Sequence, residues 1–253
     1  MAQQLLDFTG KVALVTGGRS GIGQATAVAF ARYGAKVAIA GRSHSDQTLA
    51  LIKEIGGEAI FVQGDVSVAA DVQRIVGTTV KTYGRLDIAF NNSGVSSLKA
   101  NLAEQTEENF DRVIGVDLKG VFLCMKYEIP EMLKLGGGSI INCGSVVSLV
   151  ADPRMSPYVA AKHGAAGLTK AAAIEYAKDN VRVNLIGPGF TETEMTAGWV
   201  ADPAMCELVK SFNAANRIAQ PEEIAGVALF LASPLASFVT GAIIPVDAGQ
   251  TAH

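Results

Sequence analysis

The segment KVALVTGGRSGIG, residues 11–23, joins a short apolar run to a glycine-rich turn. The apolar part is continuous rather than alternating, which is typical of a strand covered on both faces. Gly17, Gly21 and Gly23 follow in the spacing G-x3-G-x-G, and a helical pattern begins at once. Glycines let such a turn tighten, so that main-chain N–H groups at the positive end of the helix can approach a pyrophosphate. The segment therefore predicts a strand, a phosphate-binding turn and a helix. The spacing departs from GxGxxG, and a purely structural connection is the alternative.

Six further apolar runs alternate with helical patterns along the chain. They are KVAIAG (36–41), AIFVQGD (59–65), LDIAFNNSG (86–94), SIINCGS (139–145), VRVNLIGPG (181–189) and AIIPVDAG (242–249). Gly34, just past the first helix, and Pro221, at the start of the last one, mark helix ends. This alternation predicts an α/β fold, a doubly wound Rossmann sheet of about seven parallel strands with helices on both faces. We expect residues 1–253 to form a single domain that binds ligands beyond the carboxyl ends of its strands.

Composition argues against several classes of function. The 253 residues are 49% hydrophobic and have a net charge of -3, with Lys and Arg scattered, so no nucleic-acid partner is expected. The N-terminal residues lack a basic segment followed by a long apolar run, and no stretch reaches the roughly 18 apolar residues that span a membrane. We therefore expect a cytoplasmic protein with no membrane partner.

Cysteine and histidine usage limits the chemistry further. Cys124, Cys143 and Cys206 are odd in number and far apart, which suits free thiols in a reducing compartment. The three histidines have no metal-ligand spacing, so no metal is expected. They are His44, His163 and His253.

The end of the second predicted strand bears on the choice between NAD and NADP. It reads Gly41, Arg42, Ser43, where an acidic residue would bind a free ribose 2′-hydroxyl. A guanidinium beside a hydroxyl suits a 2′-phosphate instead, and Arg19 of the glycine turn would assist. We therefore expect NADP (NADPH), with NAD less favoured. Arg42 as a solvated loop residue and Asp46 as a helix cap are the structural alternatives.

The stretch SPYVAAKHGAAG, residues 156–167, places Tyr158 and Lys162 one helical turn apart. Both side chains would project from the same face of a helix, so their head groups can converge. The small residues around the pair leave room for a cofactor. For an isolated YxxxK motif, a packed tyrosine beside a solvated lysine is the alternative.

Five motifs together make the chain similar to the classical short-chain dehydrogenase/reductase family. They are the glycine turn, NNSG (91–94), Ser145, YVAAK (158–162) and PGFTET (188–193), and the resemblance extends from Lys11 to Gly249. It implies that Tyr158 is the general acid in carbonyl reduction and the base in alcohol oxidation. It also implies that Lys162 holds the nicotinamide ribose and that Ser145 hydrogen-bonds the substrate oxygen. Taken alone, Ser145 would be a loop cap.

A tyrosine needs electrostatic help to exchange protons at neutral pH. Bringing a phenol from a pKa near 10 to about 7 requires roughly 4 kcal/mol of preference for the phenolate. One ammonium at about 4 Å in an effective dielectric near 20 supplies about that much. We therefore expect Lys162 to lower the pKa of Tyr158, with a further contribution from an oxidised nicotinamide.

The sequence departs from the family at Asp117. The family usually has Asn in a VNLKG-like segment, whereas this chain reads VDLKG. In the family, this Asn holds a helix irregularity whose main-chain carbonyl binds a water that leads to the catalytic lysine. The candidate catalytic residues are Ser145, Tyr158, Lys162 and Asp117. The carboxylate would either leave the main-chain function intact or raise the pKa of Lys162 and compete for it.

The resemblance also implies a set of cofactor-binding residues. Asp65 and Val66 would contact the adenine, and Asn91 the adenosine ribose and sheet edge. Thr191 and Thr193 would contact the carboxamide and phosphates. Alone, these polar residues would be loop caps, turn residues or helix starts. The whole set is Gly17, Arg19, Ser20, Gly21, Ile22, Gly23, Arg42, Ser43, Asp65, Val66, Asn91, Gly94, Tyr158, Lys162, Gly189, Thr191 and Thr193.

Residues 190–212 lie where the family has its mobile substrate lid. Met195, Trp199 and Met205 would give this lid an apolar cover, with core packing as the alternative. Pro188 would help to shape the loop beneath the nicotinamide. The candidate substrate pocket is apolar and does not specify a substrate. Its residues are Ser96, Val147, Ala151, Met155, Phe190 and Met195.

The sequence thus predicts an NADP-dependent oxidoreductase that transfers a hydride between the nicotinamide and a ketone or secondary alcohol. A non-catalytic NAD(P)-binding sensor on the same fold is the alternative, although a sensor has no need for the Ser, Tyr and Lys together. A sugar-nucleotide epimerase or dehydratase typically adds a substrate domain, whereas four residues follow Gly249 here. The small-residue helix at 160–177 and the apolar last strand suit a homotetramer, and burial within the monomer would explain the same composition.

Overall fold

Seven apolar, β-branched runs form strands that pair in the order β3-β2-β1-β4-β5-β6-β7. In the computed structural model, which describes residues 6–252, the strands are β1 Val12–Thr16, β2 Lys36–Gly41, β3 Ala59–Gln63, β4 Ile88–Asn91, β5 Gly138–Cys143, β6 Val181–Pro188 and β7 Ile243–Val246. All neighbouring strands are parallel, and Leu14 of β1 lies beside Ala38 of β2 and Ala89 of β4. The predicted parallel α/β sheet is confirmed. The first five residues and His253, which entered the predictions on targeting and metals, lie outside the described residues.

Helices connect the strands and cover both faces of the sheet. They are α1 Gly21–Arg32, α2 Asp46–Glu54, α3 Ala69–Tyr83, α4 Glu107–Ile114, α5 Gly120–Lys134, α6 Ser156–Tyr176, α7 Ala197–Val200, α8 Pro203–Lys210 and α9 Pro221–Ala232. A single π-helical turn, Gly115–Lys119, separates α4 from α5. Within residues 6–252, no helix combines the length and apolar character that a membrane crossing requires.

The sequence signals at helix ends act as expected. α1 ends at Arg32, and Gly34 then adopts a left-handed backbone with φ of +93°. A side chain there would be strained and would also contact Thr9. At the other end of the chain, Pro221 begins α9, and the Glu223 side chain accepts from the Gln220 main-chain N–H at 2.9 Å.

The core consists of two layers, one on each face of the sheet. Ala13 and Val15 of β1 pack with α1 and α9 on one face. Leu14 packs on the other face with α3, α5 and α6. Because successive side chains of a strand point to opposite faces, a strand buried on both faces must be apolar throughout. All five residues of β1 are buried, as the continuous apolar run predicted.

The strand order creates a crevice beside the carboxyl end of β1. From β1 the chain builds outward to β2 and β3, then returns to place β4 on the other side of β1. Connections therefore leave β1 and β4 toward opposite faces of the sheet. The glycine turn after β1 and the NNSG segment after β4 border the opening between them.

Candidate active site

One groove of about 650 Å³ runs across the carboxyl ends of the strands. It brings together the glycine turn, the ends of β2 and β3, and the candidate catalytic residues Ser145, Tyr158, Lys162 and Asp117. All of the candidate cofactor-binding residues lie on its wall except Gly23 and Asn91. Motifs that are far apart in the sequence therefore share one site.

The glycine turn is shaped by contacts that exclude side chains. Gly17 has φ of +67°, and a Cβ there would lie 2.9 Å from Nδ2 of Asn92. A Cβ on Gly23 would lie 2.2 Å from the Gly17 carbonyl oxygen, so Gly23 allows close packing inside the turn rather than lining the groove. Ser20, the residue that precedes α1, makes no side-chain cap to the helix. The first N–H groups of α1 thus have no side-chain partner, as a phosphate-binding turn requires.

The structure corrects the expected role of the Asn91 side chain. It is buried, and its Nδ2 donates to Oε2 of Glu128 and to Oδ1 of Asn142, both at 3.0 Å. As the last residue of β4, it points into the layer between the sheet and α5 instead of toward a ribose. Asn92 lines the groove in its place, and its Nδ2 donates to the main-chain oxygens of Thr16 and Gly17 at 3.1 and 3.2 Å.

The adenosine end of the groove lies at the ends of β2 and β3. Arg42 and Ser43 line it on one strand, and Asp65 and Val66 follow the other. Oδ1 of Asp65 accepts from the N–H and hydroxyl groups of Ser67 at 2.9 and 2.7 Å, so this carboxylate also caps its own loop. The residues directly after β2 are Arg42 and Ser43, so no acidic side chain lies at the end of this strand.

Arg19, the other arginine expected near a 2′-phosphate, also lines the groove. Its guanidinium forms an ion pair with Glu194, at the start of the segment proposed as a lid. Arg42 makes no ion pair within residues 6–252. Arg19 and Arg42 therefore both border this end of the groove, and within residues 6–252 Arg19 has an ion-pair partner whereas Arg42 has none.

The first two turns of α6 hold Tyr158 and Lys162 on the groove. Nζ of Lys162 lies 5.3 Å from the centre of the Tyr158 ring and donates to the Cys143 carbonyl at 3.1 Å. Ser145 follows β5, its Oγ accepts from the Val147 N–H at 3.4 Å, and its hydroxyl acts to lower the pKa of Tyr158. The strand and the helix thus bring a hydroxyl, a phenol and an ammonium to one point.

Asp117 lies in the π-helical turn and forms a buried ion pair with Lys162. The distance from its Oδ1 to Nζ of Lys162 is 3.1 Å, and neither side chain has more than 4% of its surface exposed. Its Oδ2 accepts from the Val95 N–H at 3.1 Å. Gly94 makes room for the pair, because a Cβ at that position would lie 2.7 Å from Oδ1 of Asp117. Burial is the largest single influence and lowers the pKa of the Lys162 ammonium, but Asp117, Tyr158 and Cys143 together outweigh it and raise that pKa.

The pKa of Tyr158 differs from the expectation. Burial raises it, and the Asp117 carboxylate raises it further, against the lowering effects of Lys162 and of the Ser145 hydroxyl. The attraction of one cation would lower the pKa of the phenol by itself, but desolvation and the carboxylate that neutralises this cation act in the opposite direction. In this structure the phenol is held in its protonated form.

The substrate side of the groove is apolar and partly aromatic. The expected pocket residues Ser96, Val147, Ala151, Met155, Phe190 and Met195 all line it. Trp199 and Phe212 line it as well, and both pack against Phe190, with ring centres 5.5 and 5.8 Å apart. Met205, expected in the apolar cover, does not line the groove.

Sequence reasoning missed several lining residues, among them Asn92, Phe212 and Gln250. Asn92 carried a signal, since it is the second residue of NNSG. Phe212 lies at the end of the segment 190–212, and Gln250 comes after β7, where no motif marks it. Among residues 6–252, no three His, Cys, Asp or Glu side chains cluster closely enough to hold a metal ion.

Comparisons with known proteins agree with this site. Residues 17–251 match the family model described as enoyl-(acyl carrier protein) reductase. An uncharacterized oxidoreductase of Thermotoga maritima is 44% identical over 253 residues, which cover 98% of this chain and 100% of that protein. The cyclohexanol dehydrogenase of Acinetobacter sp. strain SE19 is 40% identical over 246 residues, with 96% of each chain covered.

A solved structure with a bound cofactor is also similar. It is a putative 2-deoxy-d-gluconate 3-dehydrogenase from Agrobacterium tumefaciens with bound NADP, which matches 98% of this chain and 99% of its own with a TM-score of 0.91 and 37% identity. The family resemblance inferred from the motifs is confirmed over almost the whole chain. With its parallel sheet and its glycine turn, the chain belongs to the classical short-chain dehydrogenase/reductase family, whose members are oxidoreductases that bind a nicotinamide cofactor.

Proposed function

We propose that the chain transfers a hydride between NADP and a ketone or secondary alcohol, with Tyr158 as the proton donor and acceptor. The observation that carries this proposal is that Ser145, Tyr158 and Lys162 share one groove with the glycine turn. A protein that only senses a nucleotide needs the turn but not the three polar groups. Their convergence favours an enzyme of the carbonyl reductase and alcohol dehydrogenase type.

The groove fits a nicotinamide dinucleotide along its length. The glycine turn and the uncapped start of α1 suit the pyrophosphate. Asp65 and Val66 border the adenine end, while Gly189, Thr191 and Thr193 border the nicotinamide end. When bound, the nicotinamide supplies a hydride to the carbonyl carbon or accepts one from the alcohol carbon.

The proton chemistry falls to Tyr158. In reduction, its hydroxyl gives a proton to the substrate oxygen as the carbonyl carbon gains the hydride, and a phenolate remains. Because burial and Asp117 raise the pKa of Tyr158, the hydroxyl carries its proton at neutral pH. Ser145 donates a hydrogen bond to the same substrate oxygen as it becomes negative, and Lys162 stabilises the phenolate.

Asp117 acts through Lys162 rather than on the substrate. Nζ of Lys162 is held by the Asp117 carboxylate and the Cys143 carbonyl, each at 3.1 Å. A fixed ammonium can orient the nicotinamide ribose and meet the phenolate in one position. Asp117 is therefore a positioning residue, and it also sets how strongly Lys162 lowers the pKa of Tyr158.

The preference for NADP rests on the residues at the end of β2. Arg42, which makes no ion pair within the described residues 6–252, stands beside Ser43, and this strand ends without a carboxylate that would accept bonds from a ribose 2′-hydroxyl. The similar protein with bound NADP supports the same choice. Steady-state rates with NADPH and NADH test it, and a tenfold higher kcat/KM with NADH would contradict it.

The aromatic wall of the groove favours small cyclic substrates. Phe190 packs against both Trp199 and Phe212, with ring centres 5.5 and 5.8 Å away. Flat apolar walls bind rings well, since broad contact excludes water from both partners. The relative named cyclohexanol dehydrogenase supports the same class. Cyclic ketones and their alcohols are therefore the first substrates to assay, with linear ketones of equal carbon number as controls.

We place the enzyme in a single domain whose segment 190–212 covers the substrate. Phe190 and Met195 line the groove from this segment, while Thr193 lies against the glycine turn, where it would touch a Cβ on Gly21 at 2.9 Å. Opening of the segment would therefore expose both the substrate side and the turn. Limited proteolysis with and without NADPH tests this, with protection within 190–212 expected when cofactor is bound.

A Tyr158→Phe variant separates the enzyme from the nucleotide sensor. The change removes one hydroxyl and keeps the ring, so NADPH should bind within about twofold of wild type while turnover falls by about a thousandfold or more. Binding is measured by cofactor fluorescence and turnover by the loss of absorbance of the reduced nicotinamide. Unchanged turnover would remove Tyr158 from the mechanism, and a wild type that binds NADPH but reduces no ketone in a broad panel would favour the sensor.

We also propose that the chain forms a homotetramer. Phe238 is fully exposed near β7, and the β7 strand itself is only partly buried. On a different surface, Ile174 of α6 is 80% exposed, with Phe110 and Phe122 exposed on α4 and α5. Two separate apolar surfaces suit two kinds of contact between copies. Light scattering tests the number of subunits, and a monomeric mass would contradict the proposal.

A further inference from the structure

A second, shallower groove continues from the adenosine end of the first. The two share part of their walls, so a ligand that fills the first groove extends to the edge of the second. The shared residues are Arg42, Gly64 and Asp65, and Gln63, Asp71 and Arg74 complete the second groove. Two arginine residues thus border one depression, and the proposed function uses only Arg42.

Gln63 connects the two arginines. Its Nε2 donates to the main-chain carbonyl of Arg42 at 2.9 Å. Its own main-chain carbonyl accepts from Nη1 of Arg74 at 2.6 Å. The ends of β2 and β3 and the first turns of α3 therefore form one hydrogen-bonded edge, so the main chain at Arg42 is held relative to the Arg74 side chain.

The acidic residues of this edge are occupied by internal partners. Oδ2 of Asp71 accepts from the Asp65 N–H at 2.9 Å, and its Oδ1 accepts from Arg74 at 2.6 Å. Asp65 in turn accepts from Ser67. The Arg74 side chain is still 50% exposed and its guanidinium has further N–H groups to donate. The groove therefore presents donors, and Asp71 weakens the positive charge of Arg74 without removing it.

We propose that Arg74 is a second guanidinium for the ribose 2′-phosphate, and so a residue that determines cofactor specificity together with Arg42. The proposal rests on the NADP preference of the proposed function and names a further residue for it. A phosphate has three strong acceptor oxygens, and one arginine fork engages two of them. A second guanidinium on the same edge satisfies the third, whereas a neutral 2′-hydroxyl gains little from it.

Two variants that break the same ion pair test this with opposite expected effects. Arg74→Gln removes the cation, and we expect the Kd for NADPH to rise by about three- to tenfold, while the Kd for NADH changes by less than about twofold. Asp71→Asn keeps an acceptor for the Asp65 N–H but releases Arg74 from its carboxylate. We expect this variant to bind NADPH about two- to threefold more tightly than wild type.

The measurement is cofactor binding to the full chain, by fluorescence titration at low and high salt. Adenosine 2′,5′-bisphosphate and adenosine 5′-monophosphate serve as probes that report the 2′-phosphate alone. Arg74→Gln should raise the Kd for the bisphosphate and leave the Kd for the monophosphate unchanged. The rise in Kd should become smaller as the salt concentration increases. Lys53→Gln is the control for loss of an exposed cation, because Lys53 on α2 lines neither groove.

The outcomes distinguish this inference from the proposed function. If Arg74→Gln and Asp71→Asn lower the affinities for NADPH and NADH by the same factor, the ion pair only stabilises the loop at Asp65 and the inference is wrong. If Arg42→Gln loses NADPH selectivity while Arg74→Gln keeps it, the NADP preference stands and the inference fails alone. If wild type binds NADH more tightly than NADPH, both are overturned.

Discussion

Replacing Glu128 with glutamine should stabilise the protein at alkaline pH and leave its stability almost unchanged in acid. Glu128 lies on α5 with no exposed surface. Its Oε2 accepts from Nδ2 of Asn91 at 3.0 Å, and its Oε1 has no hydrogen-bond partner among residues 6–252. Oδ1 of Asn91 also has no partner there. A protonated carboxyl supplies the donor that this acceptor-rich cluster lacks, so the geometry favours the neutral acid.

The size of the effect follows from the pKa of this carboxyl. Burial raises the pKa from 4.5 to about 7, although the Asn91 hydrogen bond acts in the opposite direction. Cys124 on the same helix is the neighbouring titratable group, and burial raises the pKa of its thiol too. Each pKa unit corresponds to about 1.4 kcal/mol, so a folded protein that must ionise Glu128 loses about 3 kcal/mol relative to its unfolded chain.

The pH window follows from the two pKa values. Below pH 4.5 both states hold the proton and Glu128 costs nothing. Between pH 4.5 and about 7 the unfolded chain releases the proton while the folded one keeps it, so stability falls as pH rises. Above about pH 7 the full cost is present. A glutamine does not ionise, and its amide can donate where the carboxyl proton did.

The assay is equilibrium unfolding of wild type and Glu128→Gln at about pH 5 and about pH 8.5. We expect the variant to gain up to about 3 kcal/mol at the higher pH, or about 6 to 10 °C in Tm for a chain of this size, and less than about 1 kcal/mol at the lower one. Glu54→Gln, at an exposed position on α2, controls for the general loss of a carboxylate. Parallel loss of stability with pH in wild type and variant would refute the reasoning, because another group would then be titrating.

Three further predictions concern the groove. Asp117→Asn should lower the pKa of Tyr158, because it removes a nearby negative charge. The acidic limb of the pH profile for alcohol oxidation should then move down by about one pH unit. A profile identical to that of wild type would show that the carboxylate does not affect the proton transfer. Gly23→Ala should destabilise the protein by about 1 to 3 kcal/mol in urea unfolding, because its Cβ would meet a main-chain carbonyl at 2.2 Å. The matched control Gly77→Ala, in the middle of α3 with no atom within 4 Å of the added Cβ, should stabilise by about 0.5 to 1 kcal/mol, and equal losses at both glycines would contradict the packing argument. Trp199→Ala should raise KM for cyclic ketones by about tenfold with less change for linear ketones, and equal changes for both would argue against a ring-binding wall.

The sheet was predictable because each strand carries its own signal. In β1 and β5 the apolar run is continuous, and both faces of each strand are indeed buried. The shared location of the glycine turn, Ser145 and Tyr158 was predictable for a related reason. In a parallel sheet all carboxyl ends meet at one edge, so motifs that follow different strands converge there.

What the sequence did not reveal depends on side-chain direction and on pairs of residues. NNSG offers two asparagines, and only the end of β4 decides that Asn91 points into the core and Asn92 into the groove. The effect of Asp117 on Lys162 depends on a distance that no spacing rule supplies. Glu128 has an ordinary helical setting in the sequence, and its burial without a cation becomes visible only in three dimensions.

The two contacts that hold the Lys162 ammonium determine at which step this side chain loses its rotamer entropy. A free lysine side chain loses about 2 kcal/mol of rotamer entropy when it is fixed. Here both groups that fix the ammonium belong to the protein's own fold, namely the Asp117 carboxylate and the Cys143 carbonyl, each at 3.1 Å. The loss is therefore incurred during folding instead of at cofactor binding, and the site is preorganised for the nucleotide that it meets.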